Sequence, residues 1–160
     1  MRIRRAAATD SEALTALAHR AKASWGYPPE LMARWEAALS LPREFIDTHD
    51  TFVAEADGAP LGVYALCGAG DELELEHFWV DPDAQRSGVG RTLFDHAAGR
   101  ARARGADSIR IASDPHAEGF YLRMGAVRVG DEVTLVPGRS LPVLRLALGH
   151  PAHSSTSEHP

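Results

Sequence analysis

Phe78-Trp79-Val80-Asp81-Pro82-Asp83-Ala84-Gln85-Arg86-Ser87-Gly88-Val89-Gly90-Arg91-Thr92-Leu93-Phe94 is an apolar strand ending at Val80, a turn, and the opening of a helix. A helix N-terminus leaves four N–H donors unpaired and carries roughly half a positive charge. Glycines at 88 and 90 let the backbone approach an oxyanion closely, so Gln85-x-x-Gly88-x-Gly90-Arg91, with the main chain of Ser87 and Val89 between, suits an anionic group. Arg86 and Arg91 add fork-shaped donors matched to phosphate. Two other phosphate loops are excluded. A Walker A loop ends in Gly-Lys-Ser/Thr, and the single lysine, Lys22, lies far upstream. A dinucleotide fingerprint needs a third glycine near the position of Leu93.

A second motif follows one helix and one strand later: Asp114-Pro115-His116-Ala117-Glu118-Gly119-Phe120-Tyr121-Leu122-Arg123-Met124-Gly125-Ala126. Together the two segments resemble the GNAT family of N-acetyltransferases. The first is similar to its Gln/Arg-x-x-Gly-x-Gly/Ala pyrophosphate motif, and the second to its Ala, Phe-Tyr, Gly motif. The resemblance extends over residues 1–149. It implies a three-layer α/β/α fold around a mixed, mostly antiparallel sheet of about seven strands, with acetyl-CoA as cosubstrate. It also implies that Phe78 and Val80 offer main chain to the pantetheine arm, and that Gln85 to Arg91 hold the pyrophosphate. Two positions depart from the family pattern. Asp114 stands where many members have an asparagine that hydrogen-bonds the cofactor arm, which makes it a candidate cofactor contact; an acidic side chain there could instead repel phosphate or serve a cationic substrate. Ala126 replaces a common phenylalanine.

Bulk properties fit one domain of this kind. The chain has 160 residues, of which 44% are apolar, and a formal charge of −5, enough for one buried core. The acidic balance gives no electrostatic case for nucleic acid or an anionic membrane as partner. Cys67 is the sole cysteine, so no disulfide or multi-cysteine metal site is expected, and no metal is expected at all. Nothing approaches the roughly 20 apolar residues of a membrane span. A cytoplasmic protein follows, and abundant alanine with arginine in place of lysine suggests a bacterial gene. The oligomeric state stays open, a homodimer included.

Patterning gives the order β-α-α-β-β-β-α-β-α-β-β. Residues 2–5 read as a strand, 10–23 and 29–40 as helices, and 51–56 and 61–67 as strands around Asp57-Gly58, a hairpin signal. Residues 72–80, 108–113, 126–129 and 141–148 read as strands; 90–104 and 117–124 read as helices stopped by Gly105 and Gly125. From His150 to Pro160 the composition predicts a disordered tail.

Acetylation of an amine poses two proton problems. An amine of pKa about 10.4 is mostly protonated at pH 7, and freeing its lone pair costs roughly 4.6 kcal/mol. By alternation along the strand, Glu74, Glu76 and Phe78 share one face and Leu75, His77 and Trp79 the other. Glu74 has the spacing of the catalytic glutamate in the histone-acetylating relatives and is the first candidate base. Glu76 stands close behind, and a water relay is the alternative. The resemblance makes Tyr121 the group that protonates the departing thiolate. Trp25 and Tyr27, in the connection between the first two helices, are candidates for holding the acceptor, by cation–π contact if it is a small cation. The expected activity is transfer of acetyl from acetyl-CoA to a primary amine of a small molecule by direct attack in a ternary complex. The alternatives are a non-catalytic acyl-CoA sensor and acetylation of a protein or peptide amine.

Overall fold

Asp57 and Gly58 have φ of 52° and 76°, the pair of left-handed residues that a two-residue type I′ turn requires. They join β2 (Asp50–Ala56) to β3 (Ala59–Cys67). In the computed structural model, which describes residues 1–149, these strands belong to a seven-stranded sheet. The remaining strands are β1 (Arg2–Arg5), β4 (Glu72–Val80), β5 (Ser108–Ala112), β6 (Val127–Val133) and β7 (Ser140–Ala147). The order is β1-β2-β3-β4-β5-β7-β6, antiparallel throughout except for the parallel pair β4–β5. The expected tail from His150 onward lies outside the described residues.

Helices cover both faces. On one lie α1 (Ser11–Ala23), α2 (Pro29–Arg34), α3 (Glu36–Leu39) and α4 (Arg43–Thr48). Leu14, Leu17 and Ala18 of α1 pack there on Val53 and Val63. On the other lie α5 (Val89–Ala103) and α6 (Glu118–Arg123). Leu93, Phe94, Ala97 and Ala101 of α5 bury against Tyr64, Leu66, Leu73 and Ile109. Each such Leu or Phe contributes about 1.5–3 kcal/mol. Gly62 lets α5 come this close, because a Cβ there would lie 3.1 Å from Leu93 Cδ2 and from the Trp79 carbonyl oxygen. Gly105 and Gly125, at φ of 81° and 100°, end α5 and α6 as left-handed caps.

Three expectations need correction. The helix expected over 29–40 is broken at Trp35, whose φ and ψ of −93° and 1° leave the helical region. A further short helix, α4, follows Pro42, which sets an extended approach to it. The simple alternation expected along β4 also fails. Ala65 pairs with His77 while Leu66 pairs with Leu75, so Glu76 is the extra residue of a β-bulge. Leu73 and Leu75 therefore face the α5 core together with Phe78 and Val80, whereas Trp79 packs on the α1 side. His77 lies with it, accepting the Trp79 Nε1–H at 3.0 Å.

Candidate active site

The parallel ladder of β4 and β5 runs only over Glu72–Ser108, Leu73–Ile109 and Glu74–Arg110. Beyond it the strands part, and a cavity of about 450 Å³ opens past their C-terminal ends. Its floor and walls come from Phe78 and Val80 on β4, the loop before α5, and Phe120 and Tyr121 on α6.

The loop is shaped by two left-handed residues, Arg86 at φ 66° and Gly88 at φ 86°. Gly88 is the N-cap of α5. Asp81 stiffens the approach: its carboxylate accepts the Asp83 N–H at 2.9 Å and binds Arg20 of α1 at 2.7 Å. The Ser87 hydroxyl donates to the Ala84 carbonyl, and the Val89 side chain is buried in the core, so neither side chain faces the cavity. Gln85, Arg86, Gly88, Gly90 and Arg91 do line it, and Arg123 from α6 joins them. Arg86, Arg91 and Arg123 have no hydrogen bond or ion pair among the described residues. By contrast Arg4, Arg100, Arg110, Arg139 and Arg145 all meet carboxylates. Three guanidinium groups without a carboxylate partner, two of them beside the N-terminus of α5, make this end of the cavity suited to an anionic group in a chain of net charge −5.

At the other end the cavity is walled by Trp25, Trp79, His116 and Tyr121. Burial pushes the Tyr121 phenol well above its ordinary range, and the nearby Asp114 charge acts in the same direction. The phenol thus keeps its proton at neutral pH. Its hydroxyl has no protein partner among the described residues.

Asp114 does not face the cavity. Its carboxylate, with only 5% of the side chain exposed, gathers four elements. Lys22 Nζ of α1 lies at 2.6 Å, the Tyr27 hydroxyl donates at 2.8 Å, and Arg139 Nη2 of the β6–β7 turn donates at 3.1 Å. The His116 backbone N–H donates at 2.8 Å, and its ring Nδ1 lies at 2.9 Å. Burial opposes ionisation of this carboxyl, but the hydrogen bonds from Lys22 and His116 outweigh it and hold the group at about 2. Lys22 fills an aromatic box, with Nζ 4.3 Å from the Trp35 ring centroid and 5.2 Å from that of Tyr27. Tyr27 is committed to this box and Asp114, while Trp25 both borders the box and lines the cavity.

Glu74 and Glu76 lie outside the cavity lining. Glu74 pairs with Arg110 at 3.0 Å. Partial burial and the adjacent Glu74 carboxylate push Glu76 upward. Sequence reasoning thus brought together the loop, Phe78, Val80, Tyr121 and Trp25. It missed Trp79, Arg123 and His116 as cavity residues. For Arg123 a signal existed, since it lies two residues from Tyr121 on the same short helix.

The sequence model of the acetyltransferase (GNAT) family matches residues 12–126. The chain belongs to the GNAT acetyltransferase family. Solved GNAT structures carry the same fold. PaiA N-acetyltransferase from Thermoplasma acidophilum, in complex with coenzyme A, is 18% identical with a TM-score of 0.78, over 91% of this chain and 98% of that one. Ribosomal-protein-S18-alanine N-acetyltransferase from Escherichia coli is 20% identical with a TM-score of 0.70, over 96% and 97%. A GNAT family acetyltransferase from Brucella melitensis, in complex with acetyl-CoA, is 22% identical with a TM-score of 0.62, over 92% and 88%. No curated protein matches the sequence. Among the described residues of this GNAT chain, no helix is long and apolar enough to cross a membrane.

Proposed function

We propose that this protein transfers the acetyl group of acetyl-CoA to a primary amine of a small molecule, by direct attack within a ternary complex. One observation carries the reading. A single cavity is lined at one end by the unpaired Arg86 and Arg91 at the start of α5 and Arg123 of α6, and at the other by Tyr121 and an aromatic wall. The first end answers the phosphates of CoA. At the second, protonated Tyr121 donates to the departing sulfur, and Trp25 packs against the acceptor. The family's structures with coenzyme A or acetyl-CoA support the choice of cosubstrate. When bound, acetyl-CoA supplies the activated acyl group; the chain binds, orients and moves protons.

Direct attack is favoured over an acylated enzyme because the sole cysteine is poorly suited to be a nucleophile. Burial, with Glu76 and Glu74 nearby, pushes the Cys67 thiol up to about 12. We place the activity in the cytoplasm of a bacterium, on the composition and the single cysteine.

The test is CoA affinity by calorimetry, together with thiol release from acetyl-CoA across small amines, aminoglycosides and short peptides. Turnover with a small amine is expected. Absence of CoA binding at millimolar concentration would refute the proposal. Tight binding with no turnover across the panel would assign a sensor instead, and turnover with peptides alone would move the acceptor to a protein amine.

A further inference from the structure

We propose that His116 is the catalytic base that takes the proton from the acceptor amine. The assignment rests on the acetyl-transfer reading and names a group within that same cavity. His116 is the imidazole that lines the cavity, on the wall shared with Trp25, Trp79 and Tyr121. Its ring is held at three places. Nδ1 lies 2.9 Å from the buried Asp114 carboxylate and 3.0 Å from the Tyr27 hydroxyl. The ring stacks on Trp25, with centroids 5.4 Å apart and planes 9° from parallel. The His116 backbone N–H is anchored on the same Asp114 oxygen at 2.8 Å.

This network selects a tautomer. Tyr27 donates to Asp114 Oδ2, so the ionised Oδ1 accepts from Nδ1–H, and Nε2 at the far edge of the ring is left with a free lone pair. A base oriented by a third, ionised group is the arrangement that general-base catalysis uses. The candidate carboxylates Glu74 and Glu76 on β4 are less well placed, because neither lines the cavity and Glu74 is engaged by Arg110.

The groups packed around His116 fit the role. Asp114 accepts the Nδ1–H and so fixes the orientation of the ring. Lys22 from α1 and Arg139 from the β6–β7 turn lock Asp114 in place, Tyr27 closes the network from the α1–α2 connection, and Tyr121 from α6 faces the same cavity. The amine nitrogen forms its bond to the acetyl carbonyl carbon and His116 Nε2 takes the nitrogen-bound proton. The carbon–sulfur bond breaks, the sulfur takes the electron pair, and Tyr121 supplies its proton. Transfer of the imidazolium proton back to the phenolate through water resets both groups.

The test uses the full chain with His116→Gln and His116→Ala. Acetyl-CoA turnover is followed by thiol release with tryptamine, spermidine and glucosamine as probe amines, and with water as acceptor in parallel. CoA affinity is measured separately on every protein. Both variants are expected to bind CoA within threefold of wild type, roughly, while kcat falls about 100-fold or more. They should lose a pH-dependent limb of kcat/KM that the wild-type protein shows, and added imidazole should restore turnover to the alanine variant. CoA binding intact with kcat and pH profile unchanged overturns the assignment of His116. So does loss of the pH-dependent limb in Glu74→Gln or Glu76→Gln with retention in His116→Gln. Wild-type protein that neither binds CoA nor releases thiol overturns the acetyl-transfer reading, and this assignment with it.

Discussion

Lys22 and Asp114, 92 residues apart in sequence, meet at 2.6 Å with both side chains nearly excluded from water. The end of α1 is thereby fixed to the loop that follows β5, and the aromatic residues of the α1–α2 connection close over the pair. A buried ion pair of this kind contributes little net stability compared with apolar packing, but removing one partner leaves an uncompensated charge.

Asp114→Asn should therefore cost about 3 kcal/mol at neutral pH, since it leaves Lys22 and Arg139 facing a neutral amide. Urea denaturation followed by tryptophan fluorescence would measure this. A change within experimental error would show that the ion pair does not organise the region.

Acid should unfold the wild-type protein in two stages. Burial holds His77 at about 4 against an ordinary 6.5, so the folded state keeps it neutral while the unfolded chain takes up a proton. Stability from this group is complete above about 6.5 and is lost as pH falls toward 4, by roughly 3 kcal/mol. Asp114, held at about 2 against 3.8, then loses its contribution as pH falls from about 4 to 2. Urea midpoints over this range should show both stages. His77→Gln, whose amide oxygen can still accept from Trp79, should lack the first.

Tyr121→Phe should lower kcat about 10- to 1000-fold while leaving CoA affinity close to wild type. The ring is buried in the core beside Phe94 and Phe78, and phenylalanine keeps that packing. Steady-state kinetics paired with a thermal melt separates the two effects. Unchanged turnover would take Tyr121 out of the mechanism.

Arg86→Gly should move stability and binding in opposite directions. The left-handed backbone at 86 costs a side-chain-bearing residue about 1 kcal/mol, which glycine relieves. The same change removes one of the three unpaired guanidinium groups, so CoA should bind about tenfold more weakly. Calorimetry and a melt on one preparation report both. Unaltered affinity would separate Arg86 from the phosphate cradle.

Much of the fold was legible because its signals are local. Asp57-Gly58 specifies a turn by itself, and Leu93, Phe94 and Ala97 mark one face of a helix whatever lies opposite. The bulge at Glu76 had no such signal: it arises from how β3 and β4 pair, and one extra residue exchanged the faces on which Phe78 and His77 were expected. The helix break at Trp35 carried no local signal either, and the contact of its ring with Lys22 is a tertiary one that periodicity does not report. The anion loop was readable in the same local way. Asp114 was not, because it looked like an unpaired acid beside a phosphate site while its partners Lys22, Tyr27 and Arg139 come from distant segments. Those partners pair its charge and hold it behind the cavity wall.

The short ladder between β4 and β5 has a mechanical consequence. Along the sheet, the block β1–β4 is spliced to the block β5-β7-β6 by three residue pairs. Further links between the two plates are made by side chains such as Arg145–Glu72 and Arg110–Glu74, by α5 on one face and by the Lys22–Asp114 pair on the other. An occupant wedged where the strands part would brace both plates at once, so the stiffness of the whole domain becomes a property of the loaded protein.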